Sequence, residues 1–177
     1  MSRSRWSSST SSTTSRVEED DMSGLKITGA EHPIKDIFCD KFVFEIPSYQ
    51  RAYSWTVDEA GALIDDLLEA IEGTDPADPD PYFLGSIVLA KEEGSANAKV
   101  IDGQQRLTTI TILLSALACS FHGLPGVDSD SIREFVRQKG NDFTGVSDEM
   151  RLTLRTRDAQ FFRQYVQEAS KIRRKTH

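Results

Sequence analysis

The sequence predicts an α+β fold: a small sheet with flanking helices, followed by a helical C-terminal segment. Three observations carry this. Residues 42–46 (FVFEI) and 82–90 (YFLGSIVLA) are rich in Phe, Val, Ile and Leu at strand length, the first alternating and the second nearly continuous. Two longer stretches, opening at Thr56 and Leu107, repeat apolar residues at helical spacing. The length of 177 residues suits one domain able to bury roughly two-thirds of its unfolded surface.

Element by element, residues 2–16 hold eight Ser, three Thr and three Arg with Trp6 as the one large apolar side chain. Such a segment cannot offset its ordering entropy, so residues 1–23 read as a disordered tail. A transit peptide shares the composition but needs an amphipathic period that is missing here, and Met22 offers an alternative start. HPIKDIF (32–38) reads as a short helix with Pro33 in its first turn. The strand over 42–46 ends at Pro47. Thr56 and Glu59 form a capping-box pattern, opening a helix with Ala60, Leu63, Ile64, Leu67, Leu68 and Ile71 on one face and a stop at Gly73. TDPADPDP (74–81) is a loop.

The run 82–90 is expected as a central strand buried on both faces, with Gly85 marking close approach of another backbone or a ligand. KVI (99–101) is a short strand. From Leu107 a helix shows the stripe Leu107, Ile110, Leu113, Leu114, Leu117 and Phe121, and stops at Gly123 and Pro125. Helices follow over 130–139 and 157–173, the latter with Phe161, Phe162, Tyr165 and Val166 as its apolar side. The predicted organisation is thus tail (1–23), folded domain (24–125) and helical segment (126–177).

Composition excludes several classes. No apolar run reaches the ~18–20 residues of a membrane span. Cys39 and Cys119 make no disulfide scaffold and fit a reducing, cytoplasmic setting. The net charge of −7 argues against a wholly basic nucleic-acid binder. That charge is uneven: the acids concentrate over 58–93, whereas residues 151–177 hold eight Lys and Arg against two acids. The basic end suits either DNA phosphates or the solvated face of a helix.

The chemistry-bearing stretch is the strand–DGQQR–helix junction at 99–117. Gly103 permits a sharp turn and close approach of a ligand to the backbone. The first N–H groups of the following helix lack internal partners and sit at its positive end, which favours an anion such as phosphate. Arg106 adds a planar fork of donors. Gln104 and Gln105 can both donate and accept, gripping a phosphate, a base edge or a water. Asp102 would stand at the strand's carboxyl end, as a catalytic or metal-binding carboxylate or as a helix cap. A second stretch, IPSYQRAYSW (46–55), interleaves Tyr49, Tyr53 and Trp55 with Gln50 and Arg51. These aromatics either serve the core or form a stacking surface for a nucleobase beside one guanidinium.

IPSYQRAYSW, YFLGSIVLA and VIDGQQRLTTITILLSAL resemble, nearly position for position, the N-terminal domain family of GmrSD-type modification-dependent restriction endonucleases. RLTLRTRDAQFF (151–162) is similar to the segment that follows in that family. The family in turn resembles the ParB/sulfiredoxin-like nucleotide-binding fold. The resemblance implies a small mixed sheet and a domain that binds, and in some members hydrolyses, nucleoside triphosphates with Mg²⁺ in a system that senses modified DNA. It carries over Tyr49, Gln50, Arg51, Gly103, Gln105 and Arg106 as nucleotide-binding residues, and Asp102, Gln104 and Arg106 as catalytic ones. Arg51 and Arg106 would neutralise phosphate charge, and Asp102 or Gln104 would orient water or a Mg²⁺-bound ligand. The family pattern normally continues into a helical second half and often an HNH nuclease. The three histidines, His32, His122 and His177, show no metal or HNH spacing. The resemblance therefore implies a truncated chain, with the nuclease on a partner subunit, or the remnant of a longer gene.

Overall fold

The computed structural model describes residues 28–169, apart from 73, 76–80, 144 and 146. The Ser/Thr/Arg-rich stretch, the middle of the Asp/Pro loop and residues 170–177 lie outside the described residues. The chain divides after Glu31 into two units, and the fold below is that of the second, from His32 onward.

After a single-turn helix, α1 (Ile34–Ile37), the chain enters β1 (Val43–Glu45). Helix α2 (Val57–Glu72) follows, opened by Glu59 Oε2 accepting the Thr56 N–H at 2.6 Å, one half of the expected capping box. Next come β2 (Val88–Lys91), β3 (Asn97–Asp102) and α3 (Gln104–Ser120). The remainder holds α4 (Ser129–Glu134), β4 (Arg137–Gln138), β5 (Glu149–Met150), β6 (Leu152–Thr153) and α5 (Thr156–Phe162), which a π-helical turn over Arg163–Gln167 extends. The architecture is α+β, a four-stranded mixed sheet in the order β2-β3-β1-β6 with flanking helices. β1 runs parallel to both β3 and β6, and β2 is antiparallel to β3. β4 and β5 form a separate antiparallel pair.

The core follows from this order. β1 and β3 are the inner strands, and their inward residues Phe44 and Val100 are fully buried, as are Leu107 of α3 and Leu152 of β6. Phe44 stacks on Phe42 at 5.6 Å between ring centroids and meets Phe38 edge-on at 6.2 Å. Each such side chain contributes roughly 1.5–3 kcal/mol by leaving water.

Four expectations need correction. The apolar run 82–90 is not a central strand buried on both faces. Only its end, Val88–Lys91, forms a strand, at the sheet's edge, and Phe83 is 75% exposed. Helix α3 begins at Gln104 rather than Leu107, because Gly103 at φ +89° completes the turn out of β3 in one residue. The helix expected over 130–139 ends at Glu134 and gives way to β4. The segment after residue 125 is also not helical alone, since β6 joins the sheet beside β1. The apolar face of α2 is only partly used: Leu63 is buried and Leu67 packs on the core, but Leu68 and Ile71 stay exposed. Among the described residues, no helix is long and apolar enough to cross a membrane.

Candidate functional site

Three stretches far apart in sequence meet at the first turn of α3. The helix enters directly from β3 through Gly103. A Cβ at that position would lie 3.1 Å from Ser86 O and from the Ile87 side chain, so the 86–87 backbone packs hard against the turn. No side chain caps the helix. Its hydrogen-bond ladder starts with Leu107 N donating to Gly103 O at 3.0 Å, which leaves the amides of residues 104–106 outside the ladder.

The two glutamines of this turn hold the 50–55 loop in place. Gln105 is buried, and its carboxamide acts as a surrogate peptide: Oε1 accepts from Ser54 N at 2.8 Å and Trp55 N at 3.3 Å, while Nε2 donates to Ala52 O at 3.0 Å. Gln104 Nε2 donates to Arg51 O at 3.0 Å, and its Oε1 is buried without a hydrogen-bond partner. Gln50 reaches the other way, its Nε2 donating to Ile101 O at 2.9 Å. Tyr53 completes the attachment with a 2.9 Å hydrogen bond between its hydroxyl and that of Thr109.

The sequence left the three aromatics open between core and stacking surface, and the structure divides them. Trp55 packs against the core and Tyr53 is tied to α3, whereas Tyr49 is 73% exposed. The glutamines divide as well. Gln105, expected to bind nucleotide, commits both ends of its amide to the backbone of 52–55. Gln104 commits one.

Arg106 leaves the helix toward the irregular stretch before β2. Its Nη1 donates to Ser86 O at 3.4 Å, and its Nε is buried without a partner. Gly85, at φ +98°, makes this possible, since a Cβ there would stand 2.7 Å from the guanidinium carbon. At Gly85, where close approach of another backbone or a ligand was expected, the group that approaches is the Arg106 side chain. Nearby, Tyr82 donates to Asp66 Oδ2 at 3.1 Å. Burial and that bond push its phenol up from the usual tyrosine range, against the opposing pull of Arg106. Asp102 does not cap the helix, and its residue is exposed at the end of β3. Among the described residues, no three His, Cys, Asp or Glu side chains cluster as a metal site would require.

The remaining wall comes from a segment to which no site role was assigned. Leu154, Arg155 and Asp158, at the start of α5, line a shallow cleft with Arg51, Tyr53, Gln104 and Thr108. Arg155 Nε donates to Asp158 Oδ2 at 2.5 Å. The signal was present in RTRD, two arginines flanking a helix start, but only the parallel pairing of β6 with β1 brings it to the cleft. The described part of the basic C-terminal end is largely spent on the fold. Arg151 is 5% exposed and donates to Glu134 O and to Asp40 Oδ1, each at 2.7 Å, while Arg163 pairs with Glu168.

The protein is an α+β domain whose separated motifs converge on the first turn of α3, which no side chain caps. Residues 34–177 match the family described as GmrSD restriction endonuclease, N-terminal domain, and the chain belongs to that family. Membership points to a component of a restriction system. No curated protein matches the chain.

Proposed function

We propose that the domain binds a nucleoside triphosphate at the N-terminus of α3 and serves as the nucleotide-responsive part of a modification-dependent DNA restriction system in the cytoplasm. The observation supporting this reading is the convergence of the 49–55, 84–87 and 102–106 stretches on a helix turn whose amides no side chain caps. Those amides and the guanidinium of Arg106 meet phosphate oxygens. Tyr49, exposed on the adjoining loop, gives a nucleobase a face to stack on, and Gln50 positions that loop against β3.

Asp102 is the carboxylate beside the turn that can take a hydrated Mg²⁺, an ion held by one or two carboxylates with water and phosphate as the rest of its shell. In the hydrolytic form of this reading, Asp102 or Gln104 orients the attacking water, and Arg106 stabilises charge on the transferred phosphoryl group. Recognition of modified DNA and its cleavage belong to the complete system rather than to this domain. In this reading the fold is of the ParB/sulfiredoxin nucleotide-binding type.

The test is titration of labelled GTP, ATP and CTP with Mg²⁺ against wild type and Arg106→Ala. Loss of one charge-assisted contact is expected to weaken binding about tenfold or more. Equal affinity of both proteins would refute the phosphate role of Arg106, and silence from all three nucleotides would refute the function itself.

A further inference from the structure

Helix α2 carries an apolar line that the fold leaves uncovered. Val57, Gly61, Ile64, Leu68 and Ile71 recur at spacings of four, three, four and three, so they lie within about 80° of one another around the helix. That is the repeat by which one helix packs along another. The core uses a different side of α2, centred on Leu63 and Leu67. Val57, Leu68 and Ile71 are 88%, 52% and 66% exposed, and a Cβ added to Gly61 would meet nothing within 4 Å. A glycine inside a helix weakens it, and no described residue crowds this one. Its bare backbone leaves a hole in the line that a side chain from a second helix fits.

The charge along one border describes that second helix. Asp58, Asp65 and Glu72 stand seven residues apart, each one position on from Val57, Ile64 and Ile71. All three are exposed, and among the described residues none has an ion-pair partner. Asp58 is in the first turn, where the helix dipole favours an acid. Asp65 has no such support, and Glu72 stands in a last turn that holds no basic residue, at the negative end of the dipole. The opposite border is Ala60 and Leu67, both uncharged. A second copy of α2 running antiparallel would therefore set the acidic border against itself, and one running parallel would set it against Ala60 and Leu67. Neither supplies a cation, whereas a helix with Lys or Arg beside its apolar line supplies one for each acid.

We propose that this face of α2 docks a basic amphipathic helix of another protein, with aliphatic residues at the same alternating spacing and Lys or Arg flanking them. At 16 residues α2 is about 24 Å long, enough for two such repeats. The face lies on a different element from the first turn of α3, and the inference does not depend on nucleotide binding.

The test is calorimetric titration of the full chain with three synthetic three-heptad peptides. One has Leu on the repeat and Lys on both borders, one has Glu in place of Lys, and one is a scramble of the Lys peptide. The Lys peptide is expected to bind wild type at least tenfold more tightly than the other two. Leu68→Gln with Ile71→Gln is expected to weaken it about tenfold, and both side chains are exposed, so the fold is kept. Asp58→Lys, Asp65→Lys and Glu72→Lys together are expected to reverse the preference in favour of the Glu peptide. If the Lys peptide binds no better than its scramble, or does not bind, the inference falls. Sedimentation of wild type without peptide tests for a second copy: a dimer that Leu68→Gln dissociates would make the face a contact between copies and overturn the inference. Binding seen only after Arg173→Glu and Arg174→Glu would make the chain's own basic end the occupant and overturn it as well.

Discussion

Replacing Gln105 with Leu removes the connection between α3 and the 52–55 loop while conserving most of the side-chain volume. Three hydrogen bonds disappear, at 2.8, 3.0 and 3.3 Å. They are not equivalent. Ser54 is exposed, so water replaces part of what its N–H loses, whereas Ala52 and Trp55 are half-buried and their groups are left poorly solvated. At about 1 kcal/mol for each of the two shorter bonds, plus about 1 kcal/mol for the half-buried groups left unpaired, Gln105→Leu costs about 3 kcal/mol. For a domain of this size that lowers Tm by ~6–12 °C. Urea denaturation followed by circular dichroism and tryptophan emission measures it, with Trp55 reporting on the loop itself. Arg106→Ala is the comparison, since among the described residues the Arg106 guanidinium makes one hydrogen bond, at 3.4 Å, and its loss should act on ligand affinity more than on stability. A Gln105→Leu protein within about 0.5 kcal/mol of wild type, the range of an uninvolved surface change, would refute the surrogate-peptide role.

Three further outcomes are expected. Gly85→Ala puts an L-residue at φ +98° and a methyl in the place of the Arg106 guanidinium, so it should cost about 1–3 kcal/mol and reduce phosphate affinity as Arg106→Ala is expected to; titration and melting of the same protein check both. Phe44→Ala, at a fully buried centre, should cost about 3–5 kcal/mol by denaturant titration. The third concerns pH. The Ser131 hydroxyl, followed by the N–H groups of Ser131 and Asp130, holds the Asp128 carboxyl below its usual range. The Thr56 N–H does the same for Glu59. A carboxyl lowered by folding stabilises the protein above its unfolded value, about 4, and that contribution is lost as pH falls through the lowered value. Asp128→Ala should therefore lower Tm at pH 7, and its difference from wild type should shrink toward pH 3.

Local signals were legible where one physical preference dominated. The Pro33 helix start, the alternating FVFEI strand, the Thr56/Glu59 opening of α2 and the glycine turn at 103 all depend on neighbours in sequence. They failed where burial depends on distant partners. The apolar run 82–90 has the composition of an inner strand, but most of it is used as irregular backbone against Gly103 and Arg106. Helix α3 shows a narrow apolar stripe, yet Thr108, Thr109 and Thr111 are buried as well. Each hydroxyl donates to the carbonyl four residues earlier, at 2.8, 2.9 and 2.8 Å, so its burial leaves no group unpaired. A hydropathy pattern counts these threonines as polar and misses that local satisfaction.

Residue types alone were enough to establish the family, the α+β class and the stretch around DGQQR as the place to look, because an identity pattern and a glycine turn persist whatever surrounds them. The division of labour within that stretch was decided by the tertiary structure. Gln104 and Gln105 are the same residue one position apart, but the 100° between adjacent positions on a helix sends them to different partners. One amide is fully paired by the 52–55 backbone, and the other keeps a bare oxygen. Arg155 reaches the cleft only because β6 adds to β1 across more than a hundred residues of chain. Which polar atoms remain for a ligand depends on which ones the fold has already used, and that is a property of three-dimensional contacts.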